Sequence, residues 1–239
     1  MDRAIKNIYG NIIRRYKQNK NVLGIMLFGS IARNKFDRYS DIDIYILLKK
    51  RGRFSRYNFS RNNIRVDIIF DSLKEAESCL VKDENKIRRI SSHMLSHGKI
   101  LYERTNDLRK LQLIAKRNLM LETKHNSEEI LMHKYSIDDF WGEVQRDIKH
   151  KDYLAVGLDS QLLINNIIEL FLKINKEYYR QPNEMFETVN RLDQKFAQNL
   201  RNFYKTEKIQ IKQKILSILV NYIYKKSGGR LPKKWFLKN

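Results

Sequence analysis

Hydrophobic and polar positions follow two different patterns along the chain. In the first part, short apolar runs rich in β-branched residues alternate with polar loops, which is typical of buried strands. These runs predict strands over 22–28, 41–48, 63–70 and 98–102. Helical spacing of apolar residues predicts helices over 2–19, 31–36 and 72–94, and a basic polar loop is expected over 49–62. The first part therefore predicts a sheet flanked by helices.

From residue 106 onward the apolar positions recur at helical spacing to the end of the chain. The pattern predicts helices over 107–123, 136–149, 155–179, 184–204 and 208–225, and Ser127-Glu128-Glu129 is a further N-cap signature. Consecutive amphipathic helices with short connections favour an antiparallel bundle. The sequence thus predicts an α+β protein, with a mixed β-sheet domain over 1–105 and an all-helical bundle domain over 106–239.

Two aspartates at the start of the second run require an explanation. Asp41 and Asp43 are two residues apart, so they would face the same side of a strand. Adjacent ionised carboxylates repel each other, which indicates a compensating cation instead of a core position. Mg²⁺ commonly takes one or two carboxylates and completes its coordination with water and substrate phosphates. The pair predicts a magnesium site that meets a phosphate-bearing substrate.

Two further features fit that site. Gly29-Ser30 ends the first run, and the backbone N–H groups and hydroxyl at such a turn can hold a phosphate. Asp67 lies among Val and Ile inside the third run, where a charge is unusual unless it faces a site. If that strand pairs beside the one carrying Asp43, the three carboxylates converge. Together these residues predict nucleotide chemistry.

The spacing of these residues resembles a known family. Gly29-Ser30, ten residues, Asp41-x-Asp43 and a later lone Asp67 resemble the DNA-polymerase-β-type nucleotidyltransferase superfamily, over residues 20–103. Ser30-x-x-Arg33 and Ser40 also fit its small bacterial members. The helical half resembles the small antibiotic-modifying nucleotidyltransferases in helix pattern only.

The resemblance implies a reaction and a set of residues. The reaction would be transfer of a nucleoside monophosphate from a nucleoside triphosphate, with ATP expected, to an acceptor hydroxyl, releasing pyrophosphate. Asp41, Asp43 and Asp67 would be catalytic and would bind two Mg²⁺ ions, and Asp67 would double as general base. The nucleotide-binding residues would be Gly29, Ser30, Arg33 and Ser40, although Arg33 could equally pair with Asp37.

The acceptor expected from the resemblance is a small molecule such as an aminoglycoside or lincosamide antibiotic, bound by the helical domain. An acidic residue of that domain would help to deprotonate the acceptor, with Asp139 and Glu143 as candidates beside Asp138, although each is individually more typical of a solvent-exposed helix acid. One alternative is a nucleotidyltransferase that modifies RNA or a protein, including an antitoxin type that adenylylates a partner. A non-catalytic module is disfavoured, because the whole motif is present.

Composition adds a large positive charge. The 239 residues include 48 Lys and Arg against 27 Asp and Glu, a net charge of +21. The bases are spread along the chain, so nucleic-acid binding stays open without being favoured, and a cationic acceptor would need a locally acidic cleft. One cysteine fits a reducing compartment. With no leader pattern or membrane-spanning run evident, a cytoplasmic enzyme is expected, without a membrane partner and compatible with a homodimer.

Overall fold

The computed structural model describes residues 2–237, and the chain divides into two compact units, Met1–Leu121 and Glu122–Asn239. The first unit contains five strands and five helices among its described residues. Their order is α1 (Asp2–Tyr16), β1 (Val22–Phe28), α2 (Gly29–Ala32), β2 (Ile42–Leu48), β3 (Arg56–Arg61), β4 (Ile64–Ser72), α3 (Leu73–Asp83), α4 (Ile90–Ser96), β5 (Lys99–Glu103) and α5 (Asp107–Met120).

The five strands form one mixed sheet in the order β3-β4-β2-β1-β5. Strands β2 and β4 run parallel, and the other neighbouring pairs are antiparallel. Central strands β1 and β2 are apolar and buried along nearly their whole lengths, because helices cover both faces of the sheet. The mixed sheet and the helices that follow it confirm the predicted α+β class.

Each face of the sheet has its own core. On one face, α1 packs Ile5, Ile8 and Ile12 against the sheet. On the other face, α3, α4 and α5 contribute Ala76, Leu80, Leu95, Leu108 and Leu111 around the buried strand residues Met26 and Tyr45. Helix α3 begins with a capping box, in which the Ser72 hydroxyl accepts from the Glu75 amide and the Glu75 carboxylate accepts from the Ser72 amide.

Three predicted elements of this unit are wrong in detail. The loop over 49–62 contains β3, an edge strand exposed on both faces, so its sequence carries no apolar run. The helix predicted over 31–36 is the single turn α2, after which Asn34 adopts a left-handed conformation (φ 54°). The helix predicted over 72–94 is divided into α3 and α4, because Asn85 (φ 62°) turns the chain and the Asp83 carboxylate accepts from the Ser92 amide of α4 at 2.6 Å.

Helix α5 belongs to the first unit, whereas the predicted boundary at 105/106 lies before it. Leu108 and Leu111 are buried in the core beneath the sheet. The Gln112 side-chain amide donates to the carbonyl oxygens of Leu95 at 3.0 Å and Gly98 at 2.7 Å. These contacts join α5 to α4 and to the start of β5, and the structural boundary therefore falls at 121/122.

The second unit is helical throughout its described elements. Its helices are α6 (Ser127–His150), α7 (Tyr153–Ile174), α8 (Pro182–Leu192), α9 (Gln194–Lys205) and α10 (Ile209–Lys226). Helix α6 begins at Ser127, as the N-cap signature there predicted, and continues without a break through residue 136, where a separate helix was predicted to start. The helix predicted over 184–204 is divided at Asp193, whose carboxylate caps α9 by accepting from the Phe196 amide at 2.8 Å. Phe171 and Phe196 stack with ring centroids 4.1 Å apart in the core.

Helix α7 departs from the expectation that no segment reaches membrane-spanning length. Among the described residues it is the one helix whose length and composition would allow it to cross a membrane, with a mean hydropathy of 1.3. Its residues Leu163, Ile164, Ile167 and Phe171 are buried inside the second unit. The apolar composition of α7 is explained by its place in this core.

Candidate active site

Register across the sheet brings the predicted aspartates together. Asp43 of β2 lies directly opposite Asp67 of the parallel strand β4. Phe28 of β1 lies opposite Asp43, and Asn58 of β3 lies opposite Asp67. Directly paired residues share a face of the sheet, so the two carboxylates are side by side on the face that α3, α4 and α5 cover further along. The predicted convergence of Asp43 and Asp67 is therefore seen in the structure.

The turn after β1 lies against this pair. Gly29 has a left-handed backbone (φ 70°), and a Cβ at this position would collide with Oδ2 of Asp43. Both observations require glycine, because other residues rarely adopt this conformation and none could approach the carboxylate so closely. The main chain of the Gly29-Ser30 turn thus lies beside Asp43, a candidate metal ligand. A phosphate group held by this turn would be close to a metal ion bound by that carboxylate.

Electrostatics confirm how closely the acids are grouped. Burial, followed by the charges of Asp67 and Asp41, raises the pKa of Asp43 to about 6 from its ordinary value of 3.8. The ionised form of such a carboxylate is stabilised when a cation replaces the hydration that it lost on burial. Hard divalent ions such as Mg²⁺ bind carboxylate oxygens of this kind. The donor set of Asp43 and Asp67 therefore fits a divalent cation.

Two arginines supply positive charge to the same acids. Arg56 of β3 holds Asp67 with both branches of its guanidinium: Nε donates to Oδ1 at 2.8 Å, and Nη2 donates to Oδ2. Arg65 Nε lies 3.7 Å from Oδ2 of Asp41. Neither arginine was found from the sequence: Arg56 was assigned to a loop, and Arg65 was given no role within the strand predicted over 63–70. The alternation of Tyr57 and Phe59 with polar residues would have been the signal for β3.

Asp41 is less closely integrated than the other two acids. It precedes the first residue of β2 and its side chain is 36% exposed. Within residues 2–237, no three His, Cys, Asp or Glu side chains are grouped as ligands for one metal ion. Asp43 and Asp67 thus form the core of the site, and the ligand role of Asp41 stays a prediction.

The predicted nucleotide-binding residues differ in their contacts. Within the part of the chain that the structure describes, the half-buried Ser30 hydroxyl has no hydrogen-bond partner. Arg33 Nε donates to the Gly29 carbonyl at 3.4 Å. The Ser40 hydroxyl instead closes the 37–40 turn, accepting from the Asp37 amide at 2.9 Å and donating to its carboxylate at 3.2 Å. The nucleotide contact of Ser40 stays a prediction.

The helical unit has an acidic group of its own. Asp139, Glu143 and Asp147 are four residues apart on α6 and so share one face. Asp159 of α7 faces them: burial, a hydrogen bond with Asp147 and the charges of Glu143 and Asp139 raise the pKa of Asp159. The two predicted acids belong to this group, whereas Asp138 accepts from the Tyr224 hydroxyl at 3.3 Å. Asp147 was missed although its spacing places it on the same face of α6 as Asp139 and Glu143. Asp159 was missed because helix spacing alone does not show how α7 packs.

The sheet, the glycine turn and the paired carboxylates all belong to the N-terminal unit. Residues 10–107 match the family model described as Polymerase beta, Nucleotidyltransferase, which spans all five strands. The structure is also similar to that of a nucleotidyltransferase-like protein from Exiguobacterium sibiricum, with a TM-score of 0.51 and 15% identity. That similarity covers 94% of this chain and 77% of the other, and at this identity it shows the fold alone.

A comparison with functionally curated proteins gave no significant match. The family match nevertheless identifies the class of the N-terminal domain. Residues 10–107 match a nucleotidyltransferase domain of the polymerase-β type, as the spacing of the glycine and aspartates predicted.

Proposed function

We propose that the protein transfers a nucleoside monophosphate from a nucleoside triphosphate, with ATP preferred, to a hydroxyl of a small cationic acceptor such as an aminoglycoside. A lincosamide is the other acceptor considered. The observation that carries the proposal is the side-by-side pairing of Asp43 and Asp67 against the Gly29 turn. The resulting product would be a nucleotidylated antibiotic, and the biological role would be resistance to it.

Each residue has a defined task in this proposal. Carboxylate oxygens of Asp43 and Asp67, assisted by Asp41, would hold Mg²⁺. The bound cation would supply charge neutralisation of the triphosphate and acidify the acceptor hydroxyl. Gly29 and Ser30 orient the phosphates through main-chain N–H groups and the free hydroxyl. A carboxylate oxygen of Asp67 accepts the proton of the acceptor hydroxyl as pyrophosphate leaves.

The acceptor class is supported by the acidic group of the second unit. In a chain of net charge +21, Asp139, Glu143, Asp147 and Asp159 concentrate negative charge on adjoining faces of α6 and α7. Burial, a hydrogen bond with Asp147 and the neighbouring negative charges raise the pKa of Asp159, so a cationic ligand beside these acids would be stabilised. An aminoglycoside carries several ammonium groups together with hydroxyls that can accept a nucleotide.

The catalytic assignment is tested by pyrophosphate release from ATP, CTP, GTP and UTP with Mg²⁺, in the presence of aminoglycosides, lincosamides or bulk tRNA. Asp67→Asn should lower turnover by about a thousandfold or more, because a metal ligand and the general base are both removed. Asp71→Asn is the matched control. Asp71 lies on the same face of β4 but bonds the Tyr45 hydroxyl at 3.1 Å, so its variant should retain most activity.

The acceptor assignment has its own test. Asp139→Asn should raise the KM for a cationic acceptor several-fold while leaving the KM for ATP unchanged, since acceptor binding loses a countercharge. Glu143 is less suited to this test, because its carboxylate accepts from Arg146 Nη2 at 2.8 Å. Glu207→Gln removes the same charge from an exposed position outside the group and should leave both values unchanged. Equal behaviour of the two variants would exclude this acidic group as the acceptor site.

Modification of RNA is the second candidate, supported by one observation. Residues 49–65 contain seven Lys and Arg and no acid, and they include the exposed aromatic rings of Phe54 and Tyr57. Basic and aromatic side chains together suit single-stranded nucleic acid. Pyrophosphate release that depends on tRNA, with none on small molecules, would favour this candidate over an antibiotic acceptor.

A further inference from the structure

Arg56 occupies both metal-binding oxygens of Asp67. The guanidinium group donates to both Oδ1 and Oδ2 in a bidentate arrangement. These hydrogen bonds use the oxygen lone pairs through which Asp67 would coordinate a metal ion. The side chain of Asp67 is 11% exposed, so few other directions of approach remain open to it. A divalent cation and Arg56 therefore compete for the same atoms.

We propose that Arg56 is an internal counter-ion that holds Asp67 in the cation-free protein and is displaced when a divalent cation binds. This inference rests on the assignment of Asp67 as a metal ligand in the proposed function. It goes beyond that function by assigning a positioning residue on β3 that sets the cation affinity of the free enzyme.

The location of Arg56 suits such an exchange. It is the first residue of an edge strand, and its side chain is 61% exposed although the carboxylate it holds is buried. A guanidinium near the surface can leave the carboxylate and recover its hydration at little cost. Asp67 cannot follow it, because β4 is fixed between β2 and β3 in the sheet.

The charges of the site explain why a counter-ion is needed. Without a cation, Asp43 and Asp67 would place two carboxylates in direct register on neighbouring strands, with Asp41 close by. Repulsion among these acids opposes folding of the strand ends. Arg56 relieves it at Asp67, and Arg65 lies in ion-pair range of Asp41. Cation binding thus replaces one compensating charge with another.

Mn²⁺ binding to the nucleotide-free full-length protein tests the inference, with unbound Mn²⁺ quantified by electron paramagnetic resonance. Arg56→Gln should bind Mn²⁺ about tenfold more tightly than the wild type, because the competing charged hydrogen bonds are gone. Arg61→Gln is the matched control. Arg61 is on the other face of the same strand, opposite Ile64, so the variant loses the same charge without freeing a carboxylate.

Arg56→Lys is a second variant that keeps the test valid if Arg56→Gln does not fold. Lysine keeps the charge but cannot span both oxygens, so its Mn²⁺ affinity should lie between the wild-type and Arg56→Gln values. The inference is overturned if Arg56→Gln and Arg56→Lys bind Mn²⁺ no more tightly than the wild type, or if Arg61→Gln gains as much.

A further variant separates this inference from the proposed function. Asp67→Asn should lose most Mn²⁺ binding. If it does so while the Arg56 variants show no gain, the metal assignment stands and only the counter-ion role is excluded. If Asp67→Asn binds Mn²⁺ as the wild type does, Asp67 is no metal ligand, and both the inference and that part of the proposed function fail.

Discussion

Replacing Asp43 with asparagine should stabilise the N-terminal unit at neutral pH in the absence of metal ions. Burial and the neighbouring carboxylates of Asp67 and Asp41 raise the pKa of Asp43 to about 6. The folded unit therefore holds a charge at pH 7 that its surroundings disfavour. Asparagine has nearly the same shape and carries no charge, so it should remove this cost while also removing a predicted metal ligand and abolishing turnover.

The magnitude follows from proton linkage. Between the ordinary pKa of 3.8 and the folded value of about 6, the folded unit keeps a proton that the unfolded chain releases. The wild type consequently loses stability as the pH rises through this range. At about 1.4 kcal/mol for each pH unit the upper bound is about 3 kcal/mol. Since solvent screens part of the interaction at this half-buried side chain, we expect about 1–2 kcal/mol.

The two units of the chain need separate probes of unfolding. Trp141 and Trp235 both lie in the second unit, so tryptophan fluorescence does not report on the first. Cys79, the one cysteine of the chain, lies on α3 of the first unit and is partly buried. Labelling of its thiol by a maleimide across a urea series, in EDTA, measures opening of this unit specifically.

The expected result is a difference in unfolding free energy between Asp43→Asn and wild type that is small near pH 4 and grows until about pH 7. Glu77→Gln, an exposed acid on the same helix as Cys79, is the control for loss of one negative charge and should change stability by less than about 0.5 kcal/mol. A variant less stable than the wild type at pH 7.5, or a difference independent of pH, would refute the electrostatic explanation.

Three further changes test other parts of the structure. Gly29→Ala should destabilise the first unit by roughly 1–3 kcal/mol in the Cys79 assay and abolish turnover, because its Cβ would collide with Asp43 and its φ is 70°. Glu129→Gln should destabilise the second unit by about 1–2 kcal/mol by tryptophan fluorescence, since the buried Lys173 loses its carboxylate partner at 2.7 Å. Asp159→Asn should stabilise the same unit more at pH 8 than at pH 5, because the raised pKa of Asp159 makes its ionised form unfavourable.

The central residues of the candidate site could be predicted from the sequence, because few structural settings accommodate a charged residue inside an apolar strand. A charge inside a β-branched run, as at Asp67, requires a neighbour or a ligand, and Asp43 supplied the second carboxylate of the same kind. Strands with uniformly apolar character also had to lie in the sheet interior. These two constraints led to the expectation that the strand of Asp67 pairs beside the strand of Asp43. The parallel direction and the register, which places the two aspartates directly opposite each other, were seen only in the structure.

The surroundings of the site could not be predicted, since they depend on elements with no hydrophobic signature. Strand β3 has an exposed, basic sequence, and only its pairing with β4 brings Arg56 to Asp67. The acidic group of the second unit likewise depends on packing that the sequence does not reveal. Spacing on α6 places Asp139 and Glu143 on one face, but the approach of Asp159 depends on how α7 packs against it.

These contacts show that part of the positive charge of the chain lies next to the acids of the candidate site. A surplus of 21 positive charges predicts attraction of anions in general, yet at this site two arginines are directed at the protein's own carboxylates. A nucleotidyltransferase site must keep several acids close together before any metal ion arrives, and repulsion among them is a constant cost of that geometry. The exposed side chains of Arg56, on the edge strand β3, and of Arg65, on β4, reduce this cost and are weakly held because solvent screens exposed ion pairs. We therefore expect Arg56 and Arg65 to keep the three acids close together in the cation-free protein, whichever acceptor is modified.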